Sequence, residues 1–160
     1  MEYRLAESWS AEVEDLGNAV ILERVLHQPL DVPDAIHLSR LLAQRHGLTL
    51  TQPAGEVFDV LTEVFARHYL GSYLGHSLAY GVEVIPRTLV AALVPRITAC
   101  VPPGARWLCT EHTGRGLASP AGLPKGVRRS ASIRHERTFE FCLAAVADEA
   151  TLLFYVWDED

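Results

Sequence analysis

Sulfur is scarce in this chain: 160 residues hold three cysteines, Cys100, Cys109 and Cys142, and a single methionine. So few thiols, odd in number, offer no disulfide framework, and they read as the reduced thiols of a cytoplasmic protein. Basic residues are missing altogether from residues 138–160, a stretch with six acids. A net charge of −6 disfavours bulk nucleic-acid binding and leaves a local anion site open. No run reaches the ~18 uncharged apolar residues that a membrane span needs. The longest apolar segment is interrupted by Arg87, Pro95 and Arg96. The opening MEYRLAESWSAEVEDL is acidic and lacks the basic-then-apolar pattern of a secretory leader. Nothing like a Walker phosphate loop is present.

What is present suits one globular domain: 49% hydrophobic and 21% charged residues. Seven of the fourteen Lys and Arg residues fall in residues 104–137, beside only two acids. Residues 8–27 are predicted to be helical, with Ser10 as N-cap and Val13, Leu16, Val20 and Leu26 near helical spacing. A second helix is predicted from Asp31 as cap, with Pro33 in its first turn, Ile36, Leu41 and Leu42 as its stripe, and Gly47 as its stop. Residues 1–47 thus read as a helical extension. Residues 48–51 alternate as a short strand, and a helix is expected over residues 53–70 with Val57, Leu61, Val64, Phe65 and His68 on one face.

From Gly75 to Leu108 the chain is glycine-punctuated and then strongly apolar, so a buried central helix is expected to begin near Pro86 and to kink at Pro95. After Pro102-Pro103-Gly104 the period becomes that of strands: residues 107–113, residues 130–147 beyond a Gly/Pro-rich loop, and TLLFYVW at 151–157. The last is apolar on both faces and is expected to be central and covered. Helices first and strands last make an α+β domain.

LTLTQ followed by a helix ending FDVLTE, the Leu78-Ala79-Tyr80-Gly81 step, LVPRI before PPGARWL, and the ASPAGLPKGV loop occur in order over residues 48–157. In that order they resemble the hot-dog superfamily, especially the MaoC-like enoyl-CoA hydratases and the acyl thioesterases. The resemblance implies an antiparallel sheet wrapped around a central helix, homodimers paired edge to edge, and binding of an acyl thioester carried on coenzyme A or an acyl carrier protein. It implies no tightly bound cofactor, since coenzyme A or phosphopantetheine arrives with the substrate, and no metal. The family's Asp–His pair is not reproduced: the turn TEVFARHYLGSYLGH has no Asp, and Tyr80 stands where a second histidine is usual. His68 or His76 can take the histidine role, and Glu63 or Asp59 the acid role.

The candidate chemistry gathers before Pro86. In hot-dog thioesterases a carboxylate near the central helix acts as base or nucleophile, which is the role implied for Glu83. His76, between Gly75 and the loop, can act as acid or base, and amides after Pro86 can polarise a carbonyl. His112, in the segment EHT, resembles the histidine strand of fluoroacetyl-CoA-type thioesterases. Cys109 and His112 are three apart in a strand and so point to opposite faces, which disfavours zinc. Arg115, Lys125, Arg128 and Arg129 on the loop suit the phosphates of coenzyme A or phosphopantetheine. The alternative is a non-catalytic α+β interaction or regulatory protein that docks a partner through this basic loop and its acidic faces.

Overall fold

The computed structural model describes residues 1–78, 81–110, 133–134 and 139–158. Within them lie β1 (Arg4–Ser8), α1 (Ser10–Leu16), β2 (Val20–Leu26), α2 (Asp34–His46), β3 (Thr49–Leu50), α3 (Ala54–Val57) and β4 (Phe58–Leu61). These are followed by α4 (Glu63–Gly75), α5 (Arg87–Thr98), β5 (Arg106–Thr110), β6 (Ile133–Arg134), β7 (Phe139–Val146) and β8 (Ala150–Asp158). Six strands form one antiparallel sheet in the order β1-β2-β8-β7-β5-β4, and β3 pairs with β6 apart from it. The domain is α+β.

β8 lies inside the sheet between β2 and β7 and is buried on both faces. Leu152, Phe154 and Val156 enter one core with α1, α4 and α5, while Leu153 and Tyr155 enter a second with α2. An alternating strand would leave one face wet, whereas an apolar run on both faces demands two covering layers. On the first face, Tyr73 of α4 stacks on Phe141 of β7 at 3.9 Å and 11°. Such a pair adds about 0.5–1.5 kcal/mol beyond the area it buries.

Three sequence-based helices need correction. The one predicted over residues 8–27 stops at Gly17, whose φ of 115° is left-handed, and its second half is β2. Val20 and Leu22 face the α4 core while Val25 faces α2, a two-residue alternation that the helical spacing had masked. The predicted N-terminal helical extension therefore supplies two strands of the main sheet. The helix expected over residues 53–70 is split at Phe58–Leu61, where β4 pairs with β5. The second helix begins at Asp34 rather than near Asp31, and it buries Leu38, Leu41 and Leu42 while Ile36 stays exposed. Gly47 does end it, at φ 66°.

The buried helix after residue 62 is α4, not the one beginning at Pro86. α4 buries Ala66, Tyr69, Leu70, Tyr73 and Leu74 against the sheet. α5 packs chiefly on α4 and buries only Leu93, Ile97 and Thr98. Arg67 Nη1 donates to Thr98 Oγ1 at 3.0 Å and ties the two helices.

α2 is pinned at both ends by forked Arg–carboxylate pairs. Arg106 of β5 grips Asp34 at 2.7 and 3.0 Å. Arg45 grips Glu23 of β2 at 2.9 Å through two nitrogens, and His46 Nε2 lies 2.7 Å from the same carboxylate. Burial alone would raise the Glu23 carboxyl, but the hydrogen bonds from His46 and Arg45 outweigh it and hold the group at about 2.

Between these anchors runs a chain of matched hydrogen bonds. The Gln28 carbonyl only accepts, so His27 Nδ1–H donates to it at 2.8 Å, and neutral His27 Nε2 then accepts from the Thr151 hydroxyl at 3.0 Å. Thr151 Oγ1 in turn accepts from His37 Nε2–H at 2.8 Å, and His37 Nδ1 accepts from the Tyr3 phenol at 3.3 Å. One direction satisfies every group while both imidazoles are neutral. Burial pushes the His37 imidazole down to about 4, and the adjacent His27 acts in the same direction.

A buried base with a lowered value binds fewer protons folded than unfolded, so its contribution is complete above pH 6.5 and is lost as pH falls toward 4. The loss for His37 amounts to about 3 kcal/mol at most. Glu23 adds a second loss below its ordinary 4.5, continuing toward 2. Urea unfolding is expected to show stability falling between pH 7 and 4.5 in the native chain, with a shallower fall in His37→Gln. Equal slopes for the two proteins would refute a neutral buried His37.

Candidate functional site

The C-terminal end of α4 sits where three chain segments meet. Asn18, just after the left-handed Gly17, donates from Nδ2 to the carbonyls of Tyr73 at 3.3 Å and Leu74 at 2.9 Å. Those carbonyls lie in the last turn of a helix, where no intrahelical donor reaches them. Beyond Gly75 the chain doubles back: Ser77 N–H donates to the Val82 carbonyl at 2.9 Å, and His76 and Glu83 form an antiparallel bridge. Val84 and Ile85 then donate to the Gly75 carbonyl at 2.8 and 3.1 Å. Pro86 follows and launches α5 back along α4.

Between the two helices lies a cavity of about 320 Å³ walled by Gly71, Gly75, Ile85, Val90, Ala91 and Val94, with His76 and Arg87 supplying its polar edge. Gly75 is required here by approach rather than by dihedral: a Cβ on it would stand 3.0 Å from Val90 Cγ2. The lining is almost wholly apolar, as small-molecule sites tend to be, and the volume falls at the small end of their range of ~300–1,000 Å³.

His76 is the one imidazole among the residues lining this cavity. It is only 7% exposed, and its Nδ1–H donates to the Ser72 carbonyl at 2.9 Å. That bond fixes the tautomer and leaves the Nε2 lone pair without a partner among the described residues. An imidazole anchored through one nitrogen with the other free is how a general base is held.

The other residues singled out from the sequence are placed as follows. Glu83 joins His76 through the backbone bridge, but its carboxylate is half-exposed and lies 3.6 Å from Arg87 Nε. The Arg87 side chain is itself largely exposed. His112, Arg115, Lys125, Arg128 and Arg129 lie outside the described residues. His68 is half-buried beside Tyr69, with ring centres 6.3 Å apart. Glu63 pairs with Arg67 at 2.7 Å, and Asp59 is exposed on β4. Cys109 and Cys142 belong to opposite cores, and burial pushes the Cys142 thiol up. Among the described residues no three His, Cys, Asp or Glu side chains gather where a metal ion could sit. Nor is any helix there long and apolar enough to cross a membrane.

Sequence reasoning did not find the Tyr3–His37–Thr151–His27 chain, because its members are brought together by the packing of α2 on the end of β2 and β8 rather than by any spacing. A second and larger cavity was equally hidden. It measures about 940 Å³ and lies at the other end of the sheet, between the start of β8 and the end of β2. Its one histidine, His27, has both ring nitrogens engaged, so it offers no free base. Comparison with protein-family models, curated proteins and solved structures finds no match to this chain.

Proposed function

We propose that the α4–α5 cavity binds the acyl group of a thioester carried on coenzyme A or an acyl carrier protein, and that His76 acts on it as general base. The observation that carries this reading is the unpartnered His76 Nε2 at the edge of an apolar cavity. An acyl chain fills apolar walls, and its carbonyl is left at the one polar edge. In hydrolysis, His76 Nε2 takes a proton from water as the water oxygen bonds to the thioester carbon. The carbon–sulfur bond then breaks, and His76 returns the proton to the departing thiolate. Hydration of an enoyl thioester uses the same base, with water adding across the double bond.

The amides of Arg87 and Thr88, in the first turn of α5, have no intrahelical acceptor and suit the oxyanion. Glu83 orients Arg87 across the mouth in this reading. The phosphates of the carrier fall to Arg115, Lys125, Arg128 and Arg129. The antiparallel sheet with α4 laid across it supports a hot-dog-like arrangement, to which α2 adds a cover on the opposite face. Free thiols at Cys100, Cys109 and Cys142 suit a reducing cytoplasm.

His76→Asn keeps a donor for the Ser72 carbonyl and removes Nε2. Its thioester turnover is expected to fall by about 10²–10⁴-fold with thermal stability retained. Glu83→Gln is expected to raise KM more than it lowers kcat. Gly75→Ala crowds Val90 and is expected to lose about 1–3 kcal/mol of stability together with acyl affinity. Unchanged melting temperature across an acyl-CoA series, with no turnover, would sink the reading.

The homodimer of this reading is assigned to β4, the outermost strand of the sheet among the described residues, where Val60 and, just beyond the strand, Val64 are 75% and 76% exposed. The opposite edge, β1, is bulged between Leu5 and Glu7 and charged, as edges protected from pairing are. Sedimentation velocity is expected to give a dimer for the native chain and a monomer for Val60→Lys; a native monomer removes the dimer from the proposal.

A further inference from the structure

Strand register places two arginines on one face of the sheet. Arg4 of β1 stands opposite Leu26 of β2, and Leu26 is two residues from Arg24, so Arg4 and Arg24 are diagonal neighbours. Diagonal positions are ~7–8 Å apart, and like charges so placed repel. Both side chains line the cavity of about 940 Å³, and neither has an ion-pair partner within 4.0 Å among the described residues.

Arg24 carries a further anomaly. Its Nε is buried with no hydrogen-bond partner, alone in this among the described buried side-chain nitrogens and oxygens. An orphaned charged donor costs more than a neutral one, and native folds tolerate few. The cross-strand residue that should satisfy it is Glu7, directly opposite in register. Yet Glu7 forms no ion pair with Arg24 within 4.0 Å; its carboxylate acts instead on the Cys100 thiol, which burial and then Glu7 push up. Asp148, on the cavity's other side, is drawn to Arg106 at 3.5 Å. His27 in the wall has both nitrogens committed to Gln28 and Thr151. Among the described residues the cavity therefore has two guanidinium groups without an ion-pair partner, with Asp148 and Glu149 on the wall but neither within 4.0 Å of them.

We propose that this cavity is a second binding site, separate from the α4–α5 cavity, and that it takes a small oxyanion, a carboxylate or a phosphate group, on Arg24 and Arg4. A guanidinium fork engages such a group through Nε and one terminal nitrogen together. Arg24 Nε is closed to solvent, so binding turns the guanidinium toward the cavity, brings that nitrogen onto an acceptor and relieves the repulsion with Arg4. Asp148 and Glu149 on the cavity wall repel extended polyanions, so the site selects a single oxyanion group. It shares no lining residue with the α4–α5 cavity, so either proposal can stand without the other.

Calorimetric titration and thermal melting of the full chain, at fixed ionic strength, test this with sodium phosphate and sodium acetate against sodium chloride. At least one oxyanion is expected to bind and to raise the melting temperature above the chloride value. Response to phosphate alone identifies a phosphate-group site, and response to acetate alone a carboxylate site. Arg24→Gln is expected to weaken binding about tenfold or more without lowering the melting temperature in chloride, since it removes an unsatisfied group. Arg4→Gln, on an exposed edge strand, weakens binding with the fold intact. Glu7→Gln retains it. No oxyanion exceeding chloride, or binding undiminished in both arginine variants, overturns the proposal.

Discussion

Burial of β8 on both faces is the constraint from which the rest of the architecture follows. An antiparallel sheet is ordinarily content with one wet face. Here Leu152, Phe154 and Val156 on one side and Leu153 and Tyr155 on the other are all nearly inaccessible, and so two helical layers are obligatory. A doubly covered sheet also traps its polar side chains. Glu23, Thr151 and Glu140 are each less than 5% exposed, and every one must find a partner in a neighbouring layer or strand. Arg45 and His46 answer Glu23, His37 and His27 answer Thr151, and Tyr155 answers Glu140 at 2.8 Å. α2 is therefore more than an apolar lid. Its position is dictated from below by the polar residues of β2 and β8.

The other layer is built differently, and the difference makes room for a site. α4 takes the place against the sheet, locked by the Tyr73–Phe141 stack, so α5 can only pack on α4 as an outer layer. A helix held mainly by another helix, rather than pressed into the sheet, leaves space beside the contact. Gly71 and Gly75 on α4 deepen that space because they present no side chain toward Val90 and Val94. The loop carrying His76 and Glu83 closes one end of it. The cavity is thus a consequence of stacking order rather than a pit cut into the core.

The parts of this that were legible in the sequence are those written in local chemistry. TLLFYVW announces a doubly buried strand, Gly47 a helix stop and Pro86 a helix start, because each depends on neighbours along the chain. The turn that carries His76 was also legible, since a glycine before it and a proline-led helix after it mark a break between two helices. β2 and β4 were not. Residues 20–26 and 58–61 fit a helical spacing as well as an alternating one, and what decides is β8 and β5 waiting alongside, which no local window contains. The choice of α4 over α5 as the buried helix escaped for a related reason. α5 has the more uniformly apolar sequence, but Arg67 and Glu63 on α4 pair with each other in solvent and leave its other faces free to be buried. The clustering of Tyr3, His27, His37 and Thr151 follows from the docking of α2 on the sheet, and that of Arg4 with Arg24 from strand register; neither has a signature in spacing.

The two cavities acquire their meaning from the completeness of everything around them. On the α2 side, donors and acceptors are matched one to one along the Tyr3–His37–Thr151–His27 chain, and both ends of α2 finish in forked ion pairs. A fold that satisfies its interior this strictly has no general tolerance for orphaned groups. Two exceptions then stand out among the described residues: His76 Nε2, without a partner there, in a residue lining an apolar cavity, and the unpartnered Nε of Arg24 beside a polar one. The first is a base with no proton to take, the second a cation with no anion to hold. Each is left incomplete where the chain leaves open volume, and packing alone would have filled such volume with side chains. Missing partners that coincide with open volume are the common ground of the two binding sites proposed above.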